Sequence, residues 1–153
     1  MSDNFRYRHG DTKPIMSPAV DTAAVVEIGD LVSETPEAAA DTTWDTNIAT
    51  TQEAFHDVFL GVAEQRSRAG DTDPIRVATS GVFEFDCASA TFAVGDLVGT
   101  AKQTGNGIES QKVVAVATPS LAIGRVVEAG ASITKVKVEI DSTIVTGGPR
   151  AAA

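Results

Sequence analysis

Cysteine is almost missing from this chain of 153 residues: Cys87 stands alone. A single thiol excludes an intrachain disulfide and any cysteine-based metal site, and with them the disulfide-stapled secreted class. In Asp86-Cys87-Ala88 it reads as a small buried residue. Aromatic residues make up only 5%, as one Trp, one Tyr and six Phe, which is little material for a large ligand pocket. No run of 18 apolar residues exists, so nothing reads as a membrane helix and no membrane partner is expected. The start, Met1-Ser2-Asp3-Asn4-Phe5, shows no apolar signal core. The expectation is a protein made and used in a cytosol, or carried on a particle assembled there.

Positive charge is missing over a long stretch. Residues 14–65 hold ten acids and no Lys or Arg, whereas residues 1–13 net +1 and residues 66–153 net zero, for a total of −9. Phosphate backbones repel such a surface, so no nucleic-acid partner is expected. The acidic stretch reads as a solubilising face.

Catalytic groups are scarce as well. His9 and His56 are the two histidines, far apart and without a metal-ligand spacing; each reads as a surface or capping residue. No Gly-x-Ser-x-Gly elbow occurs. Asp71-Thr72-Asp73-Pro74 offers two carboxylates, but an EF-hand needs more ligands and a distal Glu, so it reads as a turn. The glycines of Thr104-Gly105-Asn106-Gly107 lack the Lys-Ser/Thr of a phosphate loop. Asn106-Gly107 instead suits a type I′ hairpin turn between Val98 and Lys112. No catalytic residue, metal or cofactor is assigned, and no enzyme is expected.

What the chain does contain is strand signal. Ile133–Ile140 alternates, with Val136, Val138 and Ile140 on one face and Lys135, Lys137 and Glu139 on the other. Phe83 and Phe85 alternate with Val82, Glu84 and Asp86. Ala23–Ile28, Val58–Ala63, Ile75–Thr79, Lys112–Ala117 and Leu121–Glu128 are further short candidates between Gly, Asp, Pro and Ser. That spacing suits a sandwich or barrel rather than alternating strands and helices. One short helix is expected from the capping box Thr50-Thr51-Gln52-Glu53, with Ala54, Phe55 and Val58 facing inward. Residues 35–49 read as an irregular loop.

An internal repeat organises these strands. Ile28-Gly29-Asp30-Leu31-Val32 recurs as Val94-Gly95-Asp96-Leu97-Val98, 66 positions later. Leu60-Gly61-Val62-Ala63-Glu64 is echoed by Ile123-Gly124-Arg125-Val126-Val127-Glu128. Each echo leads to an Ala-Gly pair, Ala69-Gly70 or Ala129-Gly130, and then to a strand. Gly reaches positive φ at low cost and Asp caps the turn, so Gly29, Asp30, Gly95 and Asp96 are assigned as structural turns. The expected fold is an all-β protein, a small β-barrel or sandwich built from two similar β units, with one short helix in an insertion at 35–57. A single β domain spans 14–145, with pseudo-repeats at about 14–81 and 82–145, a flexible tail at 146–153, and an N-terminal arm at 1–13.

The arm interleaves cations and aromatics. Phe5, Arg6, Tyr7, Arg8 and His9 are the candidate contact residues, because Arg and Tyr combine area with directed hydrogen bonds. Two readings stand for it: an arm that grips a partner surface and orders on binding, or a frayed terminus or edge strand.

The run Ile75-Arg76-Val77-Ala78-Thr79-Ser80-Gly81-Val82-Phe83-Glu84-Phe85, then Val94-Gly95-Asp96-Leu97-Val98, Ile123-Gly124-Arg125-Val126-Val127-Glu128-Ala129-Gly130 and Val136-Lys137-Val138-Glu139-Ile140, resembles the phage capsid decoration (cement) proteins. The likeness covers roughly residues 60–140 and, more loosely, 10–34; the Trp44–Phe55 insertion and the Arg-rich start depart from it. The resemblance implies a virion structural protein on the capsid surface, often a homotrimer at local threefold positions, whose partners are the major capsid protein and itself. It would tie shell subunits together against packaged DNA. Other readings are a tail or baseplate β-module, a carbohydrate-binding module, or a small β-barrel hydrolase.

Overall fold

The computed structural model describes residues 7–42, 47–103 and 107–149. Phe5, Arg6, Trp44 and Asn106 therefore lie outside the described residues. Ten strands occur among those described: β1 Tyr7–His9, β2 Ile15–Met16, β3 Leu31–Ser33, β4 Phe59–Ala63, β5 Arg76–Ala78, β6 Ser80–Phe92, β7 Leu97–Lys102, β8 Ile108–Ala115, β9 Gly124–Val126 and β10 Gly130–Asp141. Helix α1 spans Ile48–Val58, and a single turn, α2, spans Thr143–Thr146.

The strands form a barrel and a second sheet. Antiparallel neighbours run β6-β10-β9-β7-β8, and a parallel contact between Asp86 and Lys112 joins β8 back to β6. This closes five strands and leaves β1 as an extra strand on β6. The second sheet, β2-β5-β4-β3, is antiparallel throughout. The protein is mostly β, as its sequence pattern indicates.

Alternation decides the burial along β10. Val136, Val138 and Ile140 are buried in the barrel, while Lys135 and Glu139 are exposed. They join Phe83, Phe85, Val98, Ile108, Val113 and Val126 in one core, which also takes Leu31, Phe59, Val62 and Ala78 from the second sheet. A smaller cluster (Val20, Val26, Val32, Leu60, Ala63, Ile75 and Val77) packs the second sheet elsewhere. One hydrophobic core therefore runs through both halves of the chain.

The repeated strings have the same backbone geometry. Gly29 and Gly95 lie at φ +96° and +93°. Gly29 N–H donates to the Ala63 carbonyl at 2.9 Å, and Gly95 N–H donates to that of Val126 at 2.8 Å. The carbonyls of Asp30 and Asp96 accept in turn from Ala63 and Val126. Each Asp caps its own turn: Asp30 accepts from the Glu27 amide at 2.9 Å and Asp96 from the Ala93 amide at 2.8 Å. Register follows suit, with Leu31–Val62 and Val32–Gly61 matching Leu97–Arg125 and Val98–Gly124. Strand order repeats too, because β2-β5-β4-β3 corresponds to β6-β10-β9-β7. The counterpart of β8 in the first half is reduced to a single bridge between Val32 and Ala38.

Several local expectations are corrected. The helix begins earlier than the Thr50 capping box allows: Asn47 is the N-cap, and its side chain accepts from Ala49 N–H at 2.9 Å. The inward face is Thr51, Gln52, Phe55 and His56, with Ala54 and Val58 only partly buried. Ala23–Ile28 is not a strand but a loop with one bridge, Val26 to Ser67, and Leu121–Glu128 contributes only β9. Thr146–Pro149, expected to fray, closes α2 with Gly148 and Pro149 buried.

Candidate interaction surface

Of the arm's described residues, Tyr7–His9 form a strand that ends the first sheet among the described residues. Tyr7 pairs with Phe83 and His9 with Val82 across the β1–β6 ladder. The Tyr7 ring meets Phe83 edge-on with centroids 5.8 Å apart, and its hydroxyl donates to the Gly10 carbonyl at 2.7 Å. Arg8 Nη2 lies 3.1 Å from Glu84 Oε1 in an exposed pair, which is worth about 0–1 kcal/mol. Behind the strand, the Thr12 carbonyl accepts from the amides of Thr79 and Ser80. Tyr7, Arg8 and His9 are therefore brought together on the barrel surface, and the expectation of a loose arm is corrected for them. The ladder to β6, the Tyr7–Phe83 ring contact and the Thr12 carbonyl together hold the segment in place. Tyr7, Arg8 and His9 are all exposed along β1, so the strand presents a cationic, aromatic rim.

His56 is not a surface residue. It is buried, and its Nδ1 donates to the Ala122 carbonyl at 2.6 Å. One turn earlier, Gln52 Nε2 donates to the Thr100 carbonyl at 2.9 Å. These two polar groups and Phe55 fasten α1 to the barrel, a structural role. Cys87 is buried with its thiol 3.6 Å from the Ile133 carbonyl. Burial, then the charge of Asp86, push its pKa up, which disfavours the reactive thiolate. Among the described residues no group of three or more His, Cys, Asp and Glu side chains is placed to hold a metal.

Two grooves were not foreseen. One, of about 740 Å³, runs between residues 19–25 and residues 35–41, where Asp21, Glu37 and Asp41 line it beside Val20 and Val25. The other, of about 560 Å³, lies between β6 residues 87–92 and β8 residues 112–115, is also lined by Ile48 and Gln52 of α1 and by Ala101 of β7, and carries Lys102 and Lys112. They are counterparts. Residues 20–26 precede the first Gly-Asp turn as 86–92 precede the second, and the Val26–Ser67 bridge matches the Phe92–Gly130 pair. Likewise Ala38, across from Val32, stands where Ala115 stands across from Val98. The repeat, extended into the segments that flank each turn, is the sequence signal for both grooves.

Two carboxyls in the first half are held in costly surroundings. Burial raises the pKa of Asp30 from the ordinary 3.8, against the stabilising hydrogen bonds from the Glu27 amide and Gln111. Glu37 is raised from 4.5 by burial and then by the charges of Asp41 and Asp21. A carboxyl raised in the folded state adds stability that is complete below its ordinary value and lost as pH climbs through the raised one. Glu37→Gln is expected to raise the Tm at pH 7, with the gain vanishing below about pH 4. Thermal scans across that range check it; an equal gain at both ends contradicts the assignment. Comparison with protein-family models and with curated proteins finds no match for this chain.

Proposed function

We propose that the protein is a structural module of a virus particle and, within that class, a decoration (cement) protein on the outside of a phage capsid. The observation that carries this reading is the placement of the strings that resemble that family. They fall in β5, the first half of β6, the turn into β7, β9 and the second half of β10, so they span both the barrel and the second sheet. The role is mechanical. A closed barrel sharing its core with a second sheet has little conformational entropy to lose on docking. β1, with Tyr7, Arg8 and His9, is the contact edge toward the shell or a neighbouring copy, and the acidic first half faces solvent, where it keeps a particle with many copies soluble. The partners are the major capsid protein and two further copies in a homotrimer, a state taken from the resemblance alone.

Reconstruction of expanded shells incubated with the protein tests the reading. Added density on the outer face at local threefold positions is expected. Isolated single copies would overturn the trimer, and no added density would overturn the assignment.

A further inference from the structure

The barrel leaves a slot where β6 and β8 part company. The two strands touch at Asp86 and Lys112 and diverge beyond that point. Past it, residues 88–92 of β6 have β10 on one side, and Val113–Ala115 of β8 have β7 on one side. Among the described residues no strand lies on the other side of either segment. The exposed β6 edge is roughly 16 Å long at about 3.3 Å per residue. Ala88, Ala90, Val114 and Ala115 line the groove between them, and Ile48 and Gln52 of α1 close one side of it. Its charged lining residues, among those described, are Lys102 and Lys112. That sign is unexpected on a chain of net charge −9. It is also opposite to the counterpart groove of the first half, with its Asp21, Glu37 and Asp41.

We propose that this groove binds an extended, acid-bearing segment of a partner protein as an added strand between β6 and β8. Unpaired edges supply main-chain hydrogen bonds, the usual source of affinity in strand addition. Ala88, Ala90 and Ala115, small and apolar, leave space along the groove for alternate residues of the guest. Lys102 and Lys112 select carboxylates and reject basic segments, which the first-half groove would attract instead. The two halves of the repeat have thus diverged in charge at one and the same structural position. The inference does not depend on the capsid reading, since it concerns only the chemistry of the slot.

The test uses the full chain, isotope-labelled, titrated with a short blocked peptide alternating valine and aspartate, and with its valine–lysine equivalent. Saturable amide shifts confined to residues 88–92 and 113–115 are expected with the acidic peptide only. Lys102→Glu with Lys112→Glu should weaken binding at least tenfold. Lys102→Met with Lys112→Met, which keeps the side-chain stems, guards against misfolding and should also weaken it. Asp21→Lys with Glu37→Lys, in the other groove, should leave it unchanged. Absence of saturable shifts, shifts centred on β1 or β2, or equal binding of the basic peptide would each overturn the proposal.

Discussion

Gly61→Ala and Gly124→Ala are each expected to cost about 3 kcal/mol, roughly 10 °C in Tm for a chain of this size. The two glycines are counterparts in the repeat, in β4 and β9, and each lies against the next strand of its sheet. A Cβ on Gly61 would collide with the Ala78 carbonyl oxygen and stand 2.9 Å from Val77 Cγ1. On Gly124 it would collide with the Glu139 carbonyl oxygen and stand 2.7 Å from Val138 Cγ1. Neither obstacle is the loose end of a flexible side chain. Both carbonyls belong to strands that pair with the glycine's own strand, so yielding means disturbing the β4–β5 or β9–β10 ladder. Gly70→Ala is the control. Nothing lies within 4 Å of its Cβ position, and only its φ of +96° opposes a side chain; the cost should be about 1 kcal/mol. Thermal unfolding of the three variants decides the matter. If Gly124→Ala proved as mild as Gly70→Ala, the close approach of β9 to β10 would be wrong.

Deleting residues 1–9 is expected to have two effects of different kinds. Removing β1 takes the Tyr7 ring off Phe83 and strips the β6 edge at Phe83 and Val82. Stability should fall by about 1–2 kcal/mol, the range for losing one partly exposed aromatic contact and a short ladder. The barrel should persist, because β6 keeps β10 along nearly its whole length. Under the capsid reading, affinity for the shell should fall at least tenfold, about 1.4 kcal/mol. Arg8→Ala with His9→Ala separates the two effects. Both side chains are exposed, so this variant should keep its Tm and still lose shell affinity. Unchanged occupancy on purified shells for both variants would move the attachment surface away from β1.

The β framework was legible because its signals are local and periodic. Val136, Val138 and Ile140 declare their face by alternation alone, and the Gly-Asp strings declare two equal turns through residues suited to positive φ. What stayed hidden depends on distant partners. Gln52 and His56 look like surface residues of a helix; they are buried where the carbonyls of Thr100 and Ala122, 48 and 66 positions away, accept hydrogen bonds from them. Ala23–Ile28 has the composition of a strand, yet its neighbour at Ser67 offers one bridge rather than a ladder. Tyr7–His9 is too short for alternation to be read, and its place depends on partners in β6, Phe83, Val82 and Glu84, more than 70 positions away. Asp30 and Asp96 match in sequence, but only Asp30 is buried, held at 2.8 Å by Gln111 from β8. The grooves needed pairing information, since each is bounded by segments that no single stretch of sequence brings together.

The central claim, that this protein cements a capsid, is most directly tested by heating DNA-filled particles stripped of their decoration and recording when the DNA escapes, with and without the purified protein added back. The account predicts that saturating protein raises the release temperature, that the gain follows occupancy, and that the variant lacking residues 1–9 gives less at equal concentration. Release at the same temperature with protein bound to saturation, or no binding at any concentration, would contradict it.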